Sequence, residues 1–361
     1  MVVYVNRMEK FLGLLREHDY DGALITPSSN LYYLTGMAPQ ATEERLFLLV
    51  VNKEGESVLI APKLYKNEVE WENSVFWGDE ENPYEILERV LTSLNLKSGK
   101  ILVEDTMRAS FLIHIERLLE DCTLYPLSGI TRELRMRKDE KELSLMKKAA
   151  EIADKVFYEI ISRELIGKSE KQVALEIEFL IRELADGVSF SPIVASGKNA
   201  ANPHYTPGNR KIRPGDFVIL DFGARYKGYC SDITRTIAVG HPNEKLTEIY
   251  EIVKEAQERA FQSVREGIKA KDVDRAARDY ISERGYGNYF IHRTGHGLGL
   301  EVHEEPYISQ TNERILERGM TFTIEPGIYI PNLGGVRIED DVVVEKKGKR
   351  LTNAERELII L

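Results

Sequence analysis

Val218-Ile219-Leu220-Asp221-Phe222-Gly223 and Ser231-Asp232-Ile233-Thr234 are the two runs on which the reading of the fold turns. They contain the β-branched and aromatic residues that suit a pleated, half-buried surface. Lys227-Gly228 between them is a turn signal, so the two runs read as a hairpin. Folded that way, Asp221 and Asp232 fall roughly opposite one another on one face of a sheet. Both lie against apolar strand residues, where solvated acids are uncommon. Two facing carboxylates repel unless a cation sits between them; an acidic sheet face in water is the alternative.

The arrangement recurs. Thr321-Phe322-Thr323-Ile324-Glu325-Pro326-Gly327 and Val336-Arg337-Ile338-Glu339-Asp340 flank a turn at 331–335, which sets Glu325 and Glu339 approximately opposite each other. Between the two acid pairs lies Gly295-His296-Gly297-Leu298-Gly299-Leu300-Glu301-Val302-His303-Glu304. Its glycines permit close backbone approach near a ligand, and His296 is the obvious nitrogen donor. Four carboxylates and one imidazole suit two hard or borderline divalent cations, Mn, Co or Zn. Such a pair, about 3.5–4 Å apart, acidifies water and polarises a carbonyl. There is no phosphate-binding loop and no serine in a nucleophile elbow.

The chain has 361 residues, more than the ~250–300 at which single cores stop growing, so two domains are expected. Its 59 acidic and 49 basic side chains leave a net charge of −10. That surplus argues against nucleic-acid and anionic-membrane partners, both of which demand a basic face. Hydrophobic residues at 42% suffice for packed cores, and Cys122 and Cys230 cannot form a disulfide framework. The first ten residues have no apolar run of signal-peptide length, and no run approaches ~18 apolar residues. A cytoplasmic, soluble protein is the expectation. The charged fraction, 30%, would also suit ion-pair networks in a heat-adapted protein.

Residues 1–131 read as an α/β domain. A helix is predicted over 8–18, a strand over 22–26, a turn at 27–30 and a hairpin pairing 45–51 with 57–61. Asn82-Pro83-Tyr84-Glu85 opens a helix, with Asn82 as cap and Pro83 in the first position. Elements over 100–103, 111–120 and 123–127 complete it. The charged stretch 132–141 reads as the link into a second domain, 132–361. There, Leu143, Met146, Ala150, Ala153, Phe157 and Ile160 recur at helical steps, and Ser169-Glu170-Lys171-Gln172 is a capping box. Strands over 190–195, 217–222, 231–239, 320–324, 327–330 and 336–344 and helices over 243–264 and 271–283 follow, so that a helix pair followed by strands occurs twice.

In order and context, Asp221, Asp232, His296, Glu325 and Glu339 resemble the metal ligands of the pita-bread metallopeptidases, which include methionine aminopeptidase, aminopeptidase P and prolidase. The carrying motifs are Leu220-Asp221-Phe222-Gly223, Ser231-Asp232-Ile233-Thr234-Arg235-Thr236, Gly295-His296-Gly297 with Val302-His303-Glu304, Thr323-Ile324-Glu325-Pro326-Gly327, and Val336-Arg337-Ile338-Glu339-Asp340. Asn30-Leu31-Tyr32-Tyr33-Leu34-Thr35-Gly36 resembles the creatinase-type N-terminal domain of the proline-specific branch. The resemblance implies an α/β (α+β) chain: a creatinase-type N-terminal domain, then a pita-bread domain with a curved, largely antiparallel sheet and flanking helices.

It further implies that Asp221 chelates one of two divalent metals, that Asp232 and Glu339 bridge both, and that His296 and Glu325 hold the other. Glu325 is also a candidate proton acceptor, and His303 would stabilise the substrate carbonyl as charge develops. His204 and His292 match substrate-contacting histidines, and Arg337 would fix acids or substrate. Peptides containing proline would be the substrates and a homodimer the assembly. One departure concerns Tyr307, in Glu304-Glu305-Pro306-Tyr307, where prolidases carry an arginine able to pair with a dipeptide carboxylate. A tyrosine offers no charged fork. The expectation is therefore an Xaa-Pro aminopeptidase of the aminopeptidase P type, with the Xaa-Pro dipeptidase prolidase as the alternative. A non-catalytic binding member is a third reading, against which all five ligands speak.

Overall fold

The computed structural model describes residues 2–40 and 42–361. The chain divides into two compact units, Met1–Arg135 and Met136–Leu361.

The first unit is built on a six-stranded sheet. From edge to edge its strands are Ser74–Trp77, Ser57–Pro62, Leu48–Asn52, Gly22–Ile25, Ser98–Val103 and Asp121–Pro126. The hairpin pairs antiparallel, and Gly22–Ile25 runs parallel to Ser98–Val103. Leu24, Val50, Ile60, Leu87 and Ile101 form its core. Asn82 caps the Pro83–Ser93 helix, its side chain accepting from the Tyr84 amide at 3.1 Å. The turn expected at 27–30 is instead the start of a helix, Ser29–Thr35: the Ser28 hydroxyl accepts from the Leu31 amide at 3.2 Å. Ser28 and Asn30 also donate to the buried Glu104 carboxylate, at 2.6 and 3.1 Å. Arg135 donates to Asn30 at 2.9 Å. The resemblance stretch beginning at Asn30 therefore includes a buried polar anchor. The charged run 132–141 is not a plain link either. Its first part belongs to the Ser128–Met136 helix, and Asp139 caps the next helix, Glu140–Ile161, with a reciprocal box from Glu142. Its charges occupy helix faces and caps as well as exposed chain.

The second unit repeats one scheme twice. Helices Glu140–Ile161 and Glu170–Leu184 pack on a three-stranded sheet ordered Ile233–Ala238, Phe217–Phe222, Ile193–Ser196. Helices Glu244–Ser263 and Ala270–Glu283 pack on a five-stranded sheet and the hairpin Gly327–Ile330/Gly334–Arg337. The five-stranded order is Glu304–Ile308, Gly295–Gly297, Thr321–Ile324, Asp340–Val344, Gly348–Arg350. Every strand pairing within this unit's sheets is antiparallel. Among the described residues, no helix is long and apolar enough to cross a membrane.

Two details of register matter for the site. The first hairpin pairs Asp221 with Thr234, so Asp232 lies diagonally from Asp221 rather than opposite it. After Phe222 the chain leaves the sheet and forms a separate one from Gly187–Val188, Ala224–Tyr226 and Tyr229–Cys230. Gly223 is the pivot: a Cβ there would stand 1.8 Å from the Ser231 carbonyl oxygen. The second detail is that 336–344 is not one strand but two, Gly334–Arg337 and Asp340–Val344. The break faces Pro326, which has no amide to donate. Gly327 pairs with Arg337 and Ile324 with Asp340, so both ladders keep one register and Glu325 faces Glu339 across the gap.

Candidate metal centre

The gap is closed from the other hairpin. The Glu339 amide donates to the Thr234 carbonyl at 3.1 Å, and the Thr234 hydroxyl donates to the Glu339 carboxylate at 2.5 Å. Because Asp232 is two residues before Thr234, strand alternation turns it to the same face. Donor atoms of Asp232, His296 and Glu339, all buried, lie within 4.8 Å of one another. His296 Nε2 is 3.3 Å from Glu325 Oε1 and 3.7 Å from Asp232 Oδ2. Thus four of the five expected ligands converge directly. Asp221 reaches the group through Arg337, whose guanidinium pairs with its Oδ2 and donates to the Thr234 hydroxyl at 3.1 Å.

The glycines around His296 are there for close approach. A Cβ on Gly295 would lie 1.8 Å from the Thr323 carbonyl oxygen, and one on Gly297 would lie 2.3 Å from the Glu305 carbonyl. His296 Nδ1 stands 3.1 Å from the Gly297 carbonyl, which can only accept, so this nitrogen carries the proton. Nε2 then presents a lone pair to carboxylate oxygens. Burial, then the neighbouring His303, push the His296 pKa down to about 3, so the ring is neutral.

The acids are frustrated without a cation. Asp221 Oδ1, Asp232 Oδ1 and Glu339 Oε1 are buried with no hydrogen-bond partner. Native proteins rarely leave such atoms unmet. Burial first, and then the charges of Glu339, Asp221, Asp341 and Glu325, push the Asp232 carboxyl well above the usual range. Burial with the charges of Glu325 and Asp221 does the same to Glu339. Oxygen-rich donors, one neutral imidazole nitrogen and unmet carboxylate oxygens fit divalent cations of hard or borderline type.

The other anticipated residues fall around this cluster. The His303 ring lies 4.2 Å from that of His296, centroid to centroid, and is exposed. His292 is committed on both nitrogens, to the Arg293 carbonyl at 2.7 Å and the Tyr329 hydroxyl at 2.9 Å. Tyr329 in turn accepts from Arg337 at 2.8 Å. His204 sits in an exposed loop, within electrostatic reach of Asp221, His292 and His303. Tyr307 is half-buried, with the Arg293 guanidinium over its ring at 4.2 Å.

Sequence reasoning passed over Arg293, Asp341, Thr234 and Arg235. Asp341 accepts from the Asp232 amide at 3.0 Å. Arg235, fully buried, pairs with Asp340 at 2.7 Å and donates to the Thr234 and Glu339 carbonyls at 2.9 and 2.5 Å. The signals were present: Thr234 and Asp341 lie two residues beyond Asp232 and Glu339, the period that keeps a strand face.

Residues 144–346, more than half of the chain, match the model of metallopeptidase family M24. The chain belongs to this family. Residues 7–137 match the creatinase/prolidase N-terminal domain, and the two-unit pita-bread architecture is the one anticipated. The M24 chain is 62% identical to a structurally solved dipeptidase from Pyrococcus horikoshii OT3, with a TM-score of 0.97 over 98% of this chain and 100% of the other. It is 53% identical to a solved prolidase from Thermococcus sibiricus, with a TM-score of 0.97 over 99% of both chains. A Pyrococcus horikoshii protein named Xaa-Pro dipeptidase is 41% identical over 364 residues, covering 99% of this chain and 100% of its own length.

Proposed function

We propose that this metallopeptidase is an Xaa-Pro dipeptidase, cleaving the single peptide bond of dipeptides that end in proline. The observation that carries this reading is similarity along nearly the whole of both chains to relatives named dipeptidase, prolidase and Xaa-Pro dipeptidase. It replaces the aminopeptidase P expectation, which rested on Tyr307 alone.

In this reading Asp221, Asp232, His296, Glu325 and Glu339 would together hold two divalent cations, Asp221 offering its unmet Oδ1. Mn, Co or Zn suits this donor set. Bound there, such a pair supplies a nucleophile from water at neutral pH and polarises the scissile carbonyl. The chain's own groups do the rest. Glu325, placed by the Thr323 hydroxyl at 3.1 Å and by its amide on the Thr294 carbonyl at 2.8 Å, accepts the proton of the attacking water and passes it to the leaving proline nitrogen. His303, beside His296, donates to the carbonyl oxygen as it gains charge. His204 and His292 line the substrate side, and Arg337 holds Asp221 in place.

The test is steady-state kinetics of the Mn-loaded chain on Met-Pro and Met-Pro-Gly. The dipeptide is expected to show the higher kcat/KM by about tenfold or more, the size of one charge-assisted contact. Preference for the tripeptide overturns the proposal in favour of an aminopeptidase.

A further inference from the structure

We propose that Glu170 is a positioning residue for the reaction: its buried carboxylate ties down the segment 196–205 and so fixes His204 on the substrate side of the metal centre. That role rests on the proposed reading, in which His204 faces substrate, and applies to a dipeptide or a longer chain alike.

Glu170 is the first residue of the helix Glu170–Leu184, with Ser169 as its cap. An acid there complements the helix dipole and is ordinarily solvated. Glu170 is instead fully buried, and among the described residues it has no ion pair; the nearby Arg210 is paired with Asp216 at 2.6 Å. Its carboxylate turns away from its own helix and collects four donors from a segment 26 to 35 residues further on. The Ser196 amide and hydroxyl donate at 2.8 and 2.7 Å, the Asn199 side chain at 3.1 Å and the Tyr205 hydroxyl at 2.9 Å. Four donors fill the lone-pair sites of an ionised carboxylate, and without them burial this deep would be costly. Burial first, and then the bond to Glu170, raise the Tyr205 pKa, so the phenol keeps its proton and stays a donor. Asn199 also donates to that hydroxyl, at 2.8 Å, which closes the network.

The network ends beside the chemistry. His204 is exposed, and among the described residues its ring has no hydrogen-bond partner, so its place is set by the backbone on either side. On one side stands Tyr205, held by Glu170. On the other, the Pro203 carbonyl accepts at 3.4 Å from Arg337, the guanidinium that pairs with Asp221. The His204 amide donates to the Asn202 side chain at 3.2 Å, and the Asn202 amide to the Asn199 carbonyl at 3.0 Å. Asn199, itself bonded to Glu170, thus carries the turn that presents His204. The segment lies against Gly335, where a Cβ would stand 2.1 Å from the Ala200 carbonyl oxygen.

The experiment is steady-state kinetics of the Mn-loaded full chain on Met-Pro and Met-Pro-Gly. It compares wild type, Glu170→Gln, Tyr205→Phe, His204→Ala and the two double variants that combine His204→Ala with each of the others, with bound Mn measured in every case. A glutamine keeps one acceptor oxygen and turns an NH2 group towards donors. Glu170→Gln is expected to lower kcat/KM about tenfold and Tyr205→Phe about threefold, with Mn content unchanged and the loss divided between kcat and KM as in His204→Ala. In the His204→Ala background either substitution should cost less than about twofold, because the residue it acts through is gone. Losses that recur in full in that background, that accompany lost Mn, or that divide differently between kcat and KM overturn the positioning role, as does wild-type kcat/KM in Glu170→Gln. Tyr205→Phe removes a single hydroxyl and decides the matter if Glu170→Gln does not fold. His204→Ala at the wild-type rate also overturns the proposal. Wild type that favours Met-Pro-Gly overturns the dipeptidase reading alone, since the same cycle is then read on the tripeptide.

Discussion

Arg235→Met probes the least visible support of the metal centre. The Arg235 side chain is 1% exposed and makes five contacts: Asp340 at 2.7 Å, and the carbonyls of Glu355, Thr234, Glu339 and Ala354 at 2.9, 2.9, 2.5 and 2.7 Å. Methionine fills much of the volume and donates to none of them. Asp340 itself keeps Arg350 at 3.0 Å, Arg356 at 3.3 Å and Gln257 at 2.8 Å, so its charge stays compensated. The loss lies in four carbonyls deprived of a buried cationic donor. At about 1–3 kcal/mol for each buried acceptor left short of a donor, the substitution costs about 3–5 kcal/mol in all. At ~2–4 °C per kcal/mol for a unit of this size, the melting temperature should fall by about 6–20 °C. Two of the carbonyls, Thr234 and Glu339, stand on the segments that carry Asp232 and Glu339, so metal affinity should weaken by about tenfold as well. The assay is thermal unfolding with and without Mn, alongside metal titration. Arg350→Met, which removes only an outer partner of Asp340, is the control and should cost less. Arg235→Met melting within ~2 °C of wild type with unaltered metal affinity would refute the reasoning.

Three further outcomes are expected. Asp232→Asn should abolish metal retention and hydrolysis yet raise the melting temperature of chelator-treated protein, because one of several mutually repelling buried carboxylates is gone; a lower melting temperature in chelator contradicts this. Gly295→Ala drives a Cβ into the Thr323 carbonyl at 1.8 Å and should cost about 3 kcal/mol or more, read as a fall in denaturation midpoint together with lost metal binding. In the first unit, burial holds the Glu104 pKa above its ordinary value of 4.5, against the bonds from Ser28 and Asn30. The folded state therefore binds the extra proton, and stability attributable to Glu104 falls as pH rises from about 4.5 through the raised value. Relative to Glu104→Gln, wild type should gain stability as pH is lowered from 7 to 5; a pH-independent difference in urea midpoints argues against it.

Local signals were legible where the chemistry is local. The caps at Asn82 and Ser169, the helix starting near Glu140 and the Gly327–Ile330 strand follow from side chains acting on their own backbone. The short helix Ser29–Thr35 was hidden because Pro27-Ser28-Ser29-Asn30 is equally good turn chemistry, and what tips it is the Glu104 carboxylate, remote in sequence. The 336–344 run read as one strand because nothing in its own residues marks a break. The break is set by Pro326 on the opposing chain and by the Thr234 bridge at Glu339.

By itself the sequence determined the ligand types, their pairing into two acid couples and the glycines that let the backbones close. Ligand chemistry and side-chain volume are properties of single residues and short spacings. Only tertiary structure decided that Asp221 lies diagonal to Asp232, that Arg337 is bound to Asp221, and that Arg293 comes to rest on Tyr307. Those outcomes depend on which strand meets which, and in what register. A tyrosine that reads as the loss of a positive charge becomes the platform for another residue's charge, because strand pairing brings together residues far apart in sequence.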